Sequence, residues 1–167
     1  MTADFATLLA FHLPRVHRAA RGLVPDEQEA RELAQDALAR AWAARDRYDR
    51  SRPFYPWLYT IVRNACRDAA ARRKHQARPG LVSAAVPSAG PSPLAALSQA
   101  RSEACVRRAM AELPEPQREI LVMRHFEDLA YVEIAELLEV PLGTVMSRLY
   151  RARKALLGLV RAQEATR

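Results

Sequence analysis

A run of basic and polar residues near the C-terminus has the composition of a nucleic-acid contact. In GTVMSRLYRARKAL, residues 143–156, a helical repeat of about 100° per residue separates two faces. The apolar face carries Val145, Leu149, Ala152 and Leu156, and the opposite face carries Ser147, Tyr150, Arg151 and Lys154. Cations bind phosphates, and arginine and serine can hydrogen-bond to base edges. A solvated amphipathic helix shows the same pattern, so the flanking sequence must decide between the two interpretations.

The composition favours a helical protein with an anionic partner. The 167 residues include 26 Lys and Arg against 19 Asp and Glu, for a formal net charge of +7 and a pI near 10.1. Glycine is scarce, while alanine, leucine, arginine and glutamate are abundant, which predicts an all-α fold. The basic balance favours nucleic acid or an anionic membrane surface as partner. No nucleophile motif accompanies the scattered histidines, so we do not expect an enzyme.

Other features limit where the protein acts and what it binds. No apolar run approaches the roughly 20 residues that span a bilayer. The N-terminal sequence MTADFATLLAFHLPR carries an acid and lacks the basic start of a signal peptide, so we expect a cytoplasmic protein without membrane insertion. Cys66 and Cys105 stand apart from any Cys or His cluster and are expected to be packing residues. We therefore expect no metal, no cofactor and no structural disulfide.

A stretch rich in Pro, Ser, Gly and Ala divides the chain. The sequence RPGLVSAAVPSAGPSPLAALS, residues 78–98, has few large apolar side chains and several helix-breaking prolines, which predicts a flexible linker. We expect two small helical modules, residues 1–77 and 99–167. In the first, a helix interrupted at Pro14 precedes a second helix capped by Asp26 and Glu29, and a third begins at Trp57.

The second module is predicted to be a four-helix helix-turn-helix domain. A first helix ends near Leu113, the chain restarts around Pro116, and a short helix through Leu138 leads to a tight break at 139–141 before the basic run. Acidic residues dominate before the break and basic residues after it. This arrangement favours the interpretation that the basic helix binds in the major groove of DNA over the interpretation that its polar face is only solvated.

Three phrases in order resemble the extracytoplasmic-function (ECF) group of the sigma-70 family of RNA polymerase sigma factors. They are ARELAQDALARAWAARDRYD, WLYTIVRNACRDAAARR and LPEPQREILVMRHFEDLAYVEIAELLEVPLGTVMSRLYRARKAL. The similarity spans nearly the whole chain. It implies one domain for core polymerase and the −10 element at 1–77, and a second domain for the −35 element at 99–167.

The resemblance also implies a role for specific residues. The residues that it implies for docking on core polymerase are Glu32, Leu33, Gln35, Asp36 and Arg40. Contact with the −35 element falls to Thr144, Met146, Ser147, Arg148, Tyr150, Arg151 and Lys154. Capture of the melted −10 strand falls to Tyr48, Phe54, Tyr55, Trp57, Arg63, Asn64, Arg67, Arg72, Arg73 and Lys74.

The −10 residues suit their implied task chemically. Stacking on an aromatic ring is worth about 1–3 kcal/mol per base, and the cations can hold phosphates. We expect Trp57 and Tyr59 to belong to the core, which leaves Phe54 and Tyr55 as the better candidates for the strand. The sequence departs from the family at Met146, which is often basic there, and at Glu139, where glycine is common. A left-handed backbone at Glu139 would cost on the order of 1 kcal/mol.

The resemblance implies a sigma factor that binds core RNA polymerase and promoter DNA and helps to open the promoter. It implies an anti-sigma partner for the free protein, which we expect to be a monomer when unbound. Two alternatives remain open. One is a stand-alone helix-turn-helix regulator, and the other is a sigma-like decoy that only titrates an anti-sigma factor.

Overall fold

In the computed structural model, the backbone is described for residues 2–76 and 93–165, and the side chains for 4–73 and 103–165. These ranges are almost entirely helical, which confirms the all-α prediction. The N-terminal module contains α1 (Thr2–Leu23), α2 (Glu27–Ala43), a 3₁₀ turn (Arg45–Arg47) and α3 (Phe54–Gln76). The C-terminal module contains α4 (Pro93–Glu112), α5 (Glu115–Leu121), a π-helical segment (Val122–Phe126), α6 (Tyr131–Leu138) and α7 (Leu142–Ala165).

Small side chains let the three N-terminal helices approach one another closely. On α2, the residues that face α1 and α3 are buried alanines at helical spacing, Ala30, Ala34, Ala37 and Ala41. Val16 of α1 and Leu58 and Val62 of α3 are fully buried against them. The apolar stripe of each helix is therefore covered by the other two, as amphipathic periodicity predicts.

The start of α2 confirms one sequence prediction, and α1 corrects another. The side chain of Asp26 accepts a hydrogen bond from the backbone N–H of Glu29 at 2.8 Å, so Asp26 is the N-cap. The predicted interruption at Pro14 is wrong, because α1 continues through it. Leu9 and Val16 on either side of Pro14 are both buried, and their packing offsets the lost backbone hydrogen bond.

The helix-turn-helix lies between α6 and α7. Glu139 caps α6 and has a left-handed backbone, with φ 52° and ψ 45°. This is the conformation that is unfavourable for a residue other than glycine, so the backbone at Glu139 is strained. The next amide, of Val140, donates to the carbonyl of Ala135 at 3.0 Å and closes the helix end. The chain then turns at Pro141 into α7.

Two predicted boundaries differ from the structure. Helix α3 begins at Phe54 rather than Trp57. Helix α4 begins at Pro93, so residues 93–98 are helical rather than linker. Residues 78–92 of the predicted linker lie outside the described part of the chain, as does residue 77 at the end of the first module.

The two modules pack directly against each other. Helix α1 contacts α5 and the π-helical segment, and α3 contacts α6, so a single hydrophobic core extends across both modules. Cys66 and Cys105 are both buried and free, as expected of packing residues. Within the described ranges, no helix is long and apolar enough to cross a membrane. The same residues contain no group of three or more His, Cys, Asp or Glu positioned to hold a metal.

Candidate nucleic-acid interface

Helix α7 separates its two faces as the sequence predicts. Val145, Leu149 and Ala152 are at most 1% exposed and pack into the core of the C-terminal module. On the other face, Met146 is 55% exposed and Tyr150 is 67% exposed. Four of the remaining candidates for duplex contact are also accessible or partly so: Ser147, Arg151 and Lys154 are exposed, and Arg148 is half-buried.

Local hydrogen bonds order the exposed face of α7. The Ser147 hydroxyl donates to the carbonyl of Thr144 at 3.0 Å, and Nε of Arg151 donates to the carbonyl of Ser147 at 3.3 Å. Thr144, in the first turn, is half-buried. The side chains near the start of α7 are therefore held along the helix before any partner is bound, which reduces the entropy that binding must remove.

The aromatic residues expected at the −10 strand are mostly packed together. Phe54 is 8% exposed and meets Phe5 of α1 edge to face, with ring centroids 5.5 Å apart. Tyr48 and Trp57 are half-buried, and both pack against Phe54, Tyr48 edge to face and Trp57 at a tilt of 41°. Tyr59 is fully buried, as expected. The expectation that Phe54 is freer than Trp57 is wrong, because Phe54 begins α3 where α1 covers it.

Tyr55 is buried in contact with the C-terminal module, so its ring is not accessible to a strand in this conformation. It is 5% exposed, and its hydroxyl donates a hydrogen bond to Oε2 of Glu127. The Arg15 guanidinium lies over the Tyr55 ring at 3.4 Å. Burial, together with the neighbouring Glu127, raises the pKa of Tyr55 well above its ordinary value.

Glu127 is a fully buried carboxylate at the boundary between the modules. Arg15 and Arg18 of α1 lie 3.6 and 3.5 Å from its two oxygens, and Arg15 also donates to its backbone carbonyl at 2.7 Å. Burial raises the pKa of Glu127 despite these cations. We call Glu127, Tyr55, Arg15 and Arg18 the Glu127 cluster. Sequence reasoning missed it, since Tyr55, Arg15 and Arg18 are all far from Glu127 in the sequence.

Two ion pairs join α3 to α5 beside this cluster. Nε of Arg63 lies 3.3 Å from Oε1 of Glu119, and Nε of Arg67 lies 3.3 Å from Oε1 of Glu115. The partners are four residues apart on each helix and run in opposite order, so they form an antiparallel ladder. Arg63 also donates to the carbonyl of Leu137 in α6 at 3.2 Å. We call these two pairs the arginine–glutamate ladder.

The other polar candidates of α3 differ in their availability. Asn64 and Arg72 are exposed. Arg73 is exposed but lies 2.5 Å from a carboxylate oxygen of Glu29 in α2. The Lys74 side chain lies outside the described residues. Among the described side chains of α3, Asn64 and Arg72 are thus the best placed to offer hydrogen bonds or bind phosphate.

The face of α2 expected to dock on core polymerase is polar and partly paired. Glu32 and Gln35 are exposed. Arg40 bridges Asp36 and Asp68, with a nitrogen 2.8 Å from a carboxylate oxygen of each. Leu33 is only 6% exposed, so it offers little surface for docking in this structure. It points into the core because it shares the buried alanine face of α2.

Family models match both modules. Residues 8–76 match sigma-70 region 2, and residues 103–156 match sigma-70 region 4. The chain is 35% identical over 143 residues to the RNA polymerase sigma-H factor of Pseudomonas aeruginosa, covering 80% of this chain and 74% of that protein. The chain belongs to the sigma-70 family, as an ECF sigma factor.

Other relatives agree with this assignment. The sigma factor is 32% identical over 146 residues to the ECF sigma-E factor of Escherichia coli, covering 81% of this chain and 72% of that one. It is 27% identical over 161 residues to ECF sigma factor SigW of Bacillus subtilis, covering 91% and 86%. Both helical modules are therefore shared with the relatives, and α1–α3 and α4–α7 are hereafter called region 2 and region 4.

Two solved structures resemble the whole sigma factor. The sigma factor RpoE of Bartonella quintana, in complex with the anti-sigma factor NepR, matches with a TM-score of 0.79 and 26% identity over 95% of this chain and 97% of that one. CnrH, in complex with the cytosolic domain of CnrY, matches with a TM-score of 0.68 and 26% identity over 97% and 90%. Each match extends over both regions of the sigma factor.

Proposed function

We propose that the exposed face of α7 reads the −35 element of promoter DNA. The observation that carries this proposal is the division of α7, in which Val145 and Leu149 are buried while Met146 and Tyr150 are more than half exposed. Arg151 can pair with a guanine edge, and Arg148 and Lys154 lie where phosphates would pass. Met146 offers an apolar contact for a thymine methyl group.

Region 2 is proposed to hold the melted −10 strand and to dock on core RNA polymerase. Exposed Asn64 and Arg72, with Arg63 and Arg67 once released from region 4, would supply base-edge and phosphate contacts. Among the four aromatic residues proposed for the strand, the half-buried Tyr48 and Trp57 are more accessible than the buried Phe54 and Tyr55. Docking would use the exposed part of α2 around Glu32 and Gln35. The protein would act in the cytoplasm, as a monomer until it binds a partner.

Run-off transcription with purified core RNA polymerase and genomic promoter fragments tests this function. We expect defined, heparin-resistant transcripts that require the protein. Arg151→Ala should reduce them by roughly tenfold, since a bidentate base contact is worth about 1–3 kcal/mol. Arg161→Ala is the matched control, because Arg161 is exposed on the same helix beyond the region 4 match.

Other outcomes of this experiment point to the alternatives. A decoy for an anti-sigma factor would give no transcripts with core polymerase. A stand-alone regulator would bind duplex DNA without polymerase. An equal loss in Arg151→Ala and Arg161→Ala would show that the contact is only electrostatic.

We also propose an anti-sigma factor as a partner of the free protein. RpoE of Bartonella quintana, solved with the anti-sigma factor NepR, resembles this chain across both regions. A cavity of about 600 Å³ opens between α1 and α4. Its wall is apolar at Val24, Val106, Met110 and Phe126, basic at Arg18, Arg21, Arg107 and Arg118, and acidic at Glu103, so basic groups predominate.

This lining fits an acidic amphipathic segment of a partner protein. Val106→Asp would place an acid in the cavity wall and should weaken capture by the cognate anti-sigma factor. Run-off transcription should continue in this variant, because Val106 lies away from the proposed DNA face. Unchanged capture by Val106→Asp would place the partner elsewhere.

A further inference from the structure

We propose that region 4 blocks the strand-binding face of region 2 in the free protein, by placing its own carboxylates where promoter phosphates would bind. This inference rests on the proposed function, and it adds a regulatory role for the contact between the two regions. The arginine–glutamate ladder and the Glu127 cluster carry it. In both, side chains of region 2 that would bind the −10 strand are instead bound to glutamates of region 4.

The ladder uses the two arginines at the centre of the proposed strand site. Arg63 and Arg67 each face a glutamate of α5 at 3.3 Å. A carboxylate and a phosphate oxygen offer the same hydrogen-bond acceptors to a guanidinium group. A strand phosphate can therefore bind these arginines only after Glu119 and Glu115 have left.

Burial makes the inner pair the stronger obstacle. The side chains of Arg63 and Glu119 are 13% and 11% exposed, whereas those of Arg67 and Glu115 are 56% and 36% exposed. Arg63 is held from a second side by the carbonyl of Leu137. Region 4 thus covers Arg63 with α5 and α6 together, and no strand can reach it while the two regions stay in contact.

The Glu127 cluster likewise makes an aromatic ring, that of Tyr55, inaccessible to the strand. Tyr55 is buried, and its hydroxyl is hydrogen-bonded to the carboxylate of Glu127. Separation of the regions would free both Tyr55 and the ladder arginines. Strand binding and contact between the regions are therefore mutually exclusive, and a partner that binds the regions apart would activate the protein.

Charge reversal at the outer pair tests the proposal. Glu115→Lys places a cation against Arg67 and should open the contact without disturbing the core, because Glu115 is partly exposed. The double variant Arg67→Glu/Glu115→Lys restores a pair of opposite charges and should close it again. Glu164→Lys is the matched control, with the same change of charge at an exposed position near the end of α7.

Opening is measured by energy transfer between dyes on Ser51→Cys and Gly158→Cys, which are exposed positions in the two regions. Every labelled protein also carries Cys66→Ala and Cys105→Ala, because the buried native thiols could react with the dye once the regions separate. We expect transfer to fall in Glu115→Lys, to recover in the charge-swapped variant and to stay unchanged in Glu164→Lys. This readout involves no DNA, so it stands apart from any failure of run-off transcription, which would instead overturn the proposed function.

Strand binding is measured on unlabelled full-length protein with a fluorescein-labelled oligothymidine of about 12 nucleotides. Glu115→Lys should bind roughly fivefold more tightly than Glu164→Lys, as expected for the release of one partly exposed ion pair. Equal energy transfer in Glu115→Lys and Glu164→Lys would overturn the proposal. Opening without a gain in affinity over that control would also overturn it, because the contact would then not block the strand.

Glu119→Lys is a stronger second variant, since it brings a cation beside the buried Arg63. Its helical content, measured by circular dichroism, must match that of the parent protein. If it is folded, we expect a larger fall in energy transfer than in Glu115→Lys. A folded Glu119→Lys protein that stays closed would contradict the proposal.

Discussion

Gly22 of α1 lies directly against Val122 of the π-helical segment. A Cβ atom built on Gly22 would be 2.8 Å from one methyl group of Val122 and 3.3 Å from the other. Val122 is fully buried and cannot move aside cheaply. The absence of a side chain at residue 22 is therefore what lets region 2 and region 4 approach this closely.

Gly22→Ala should loosen the contact between the regions. Overpacking of a well-filled interior costs about 1–3 kcal/mol, which exceeds the gain from alanine in a helix. We expect a lower free energy of unfolding in urea and a larger radius of gyration in solution scattering. Gly158→Ala is the control, because a Cβ there meets nothing within 4 Å. Equal stability of the two variants would show that the regions separate readily at Gly22.

Asp26→Ala should destabilise α2. The Asp26 side chain accepts the backbone N–H of Glu29, and loss of such an N-cap costs about 1 kcal/mol. Asp26→Asn keeps an acceptor and should recover most of the loss. The free energy of unfolding from urea denaturation measures both variants. A value for Asp26→Asn as low as that for Asp26→Ala would mean that the charge of Asp26, rather than its hydrogen bond, stabilises the helix.

Glu127 should make the folded protein more stable as the pH falls. Burial raises its pKa, so its contribution is fully present below about pH 4.5, its ordinary value, and is lost as the pH rises through the raised value. The groups that face Glu127 are Tyr55, Arg15 and Arg18. The buried Glu119 shifts in the same direction as Glu127.

The variant Glu127→Gln isolates this contribution. Burial lowers the pKa of His12 and His125, which acts in the opposite direction on acidification, so the parent protein alone would give a mixed result. The difference in unfolding free energy between parent and Glu127→Gln should shift in favour of the parent from pH 7 to pH 5. A difference independent of pH would show that Glu127 keeps an ordinary pKa.

Tyr59→Phe should stabilise the protein. Among the described residues, the Tyr59 hydroxyl has no hydrogen-bond partner, and Tyr59 is fully buried in region 2. A buried hydroxyl without a partner costs about 1–3 kcal/mol, and its removal leaves the ring packing intact. Thermal unfolding should show a higher midpoint. A lower midpoint would indicate that the hydroxyl is hydrogen-bonded in solution.

The helices of both regions follow from local sequence patterns, whereas the contact between the regions does not. Apolar spacing marks α2 and α7, and Asp26 marks a helix start, because these signals depend on neighbours within a few residues. Glu127 and Glu119 look like surface acids in the sequence. Their burial depends on Tyr55 and Arg63, which lie far away along the chain, and no local pattern encodes such a pairing.

The exposed face of α7 could be predicted from the sequence, whereas the burial of the aromatic residues at the start of α3 could not. On α7, burial is determined within one helix-turn-helix unit, so the exposure of Tyr150 could be inferred from helical periodicity. At the start of α3, several aromatic rings compete for the same core. Phe54 takes the buried place because Phe5, on another helix, packs against it. Spacing in the sequence therefore cannot show whether Phe54 or Trp57 is the more deeply buried.

Cys66 gives the molecule a native chemical reporter. Its thiol is buried, and burial raises its pKa to about 12. It lines a small cavity together with Arg63 and Arg67 of α3 and Glu115 and Glu119 of α5. Only a thiolate reacts quickly with an alkylating reagent, so Cys66 should be modified only during the moments when region 4 moves away. Its rate of alkylation in the unlabelled, unmutated protein then measures how often the molecule opens.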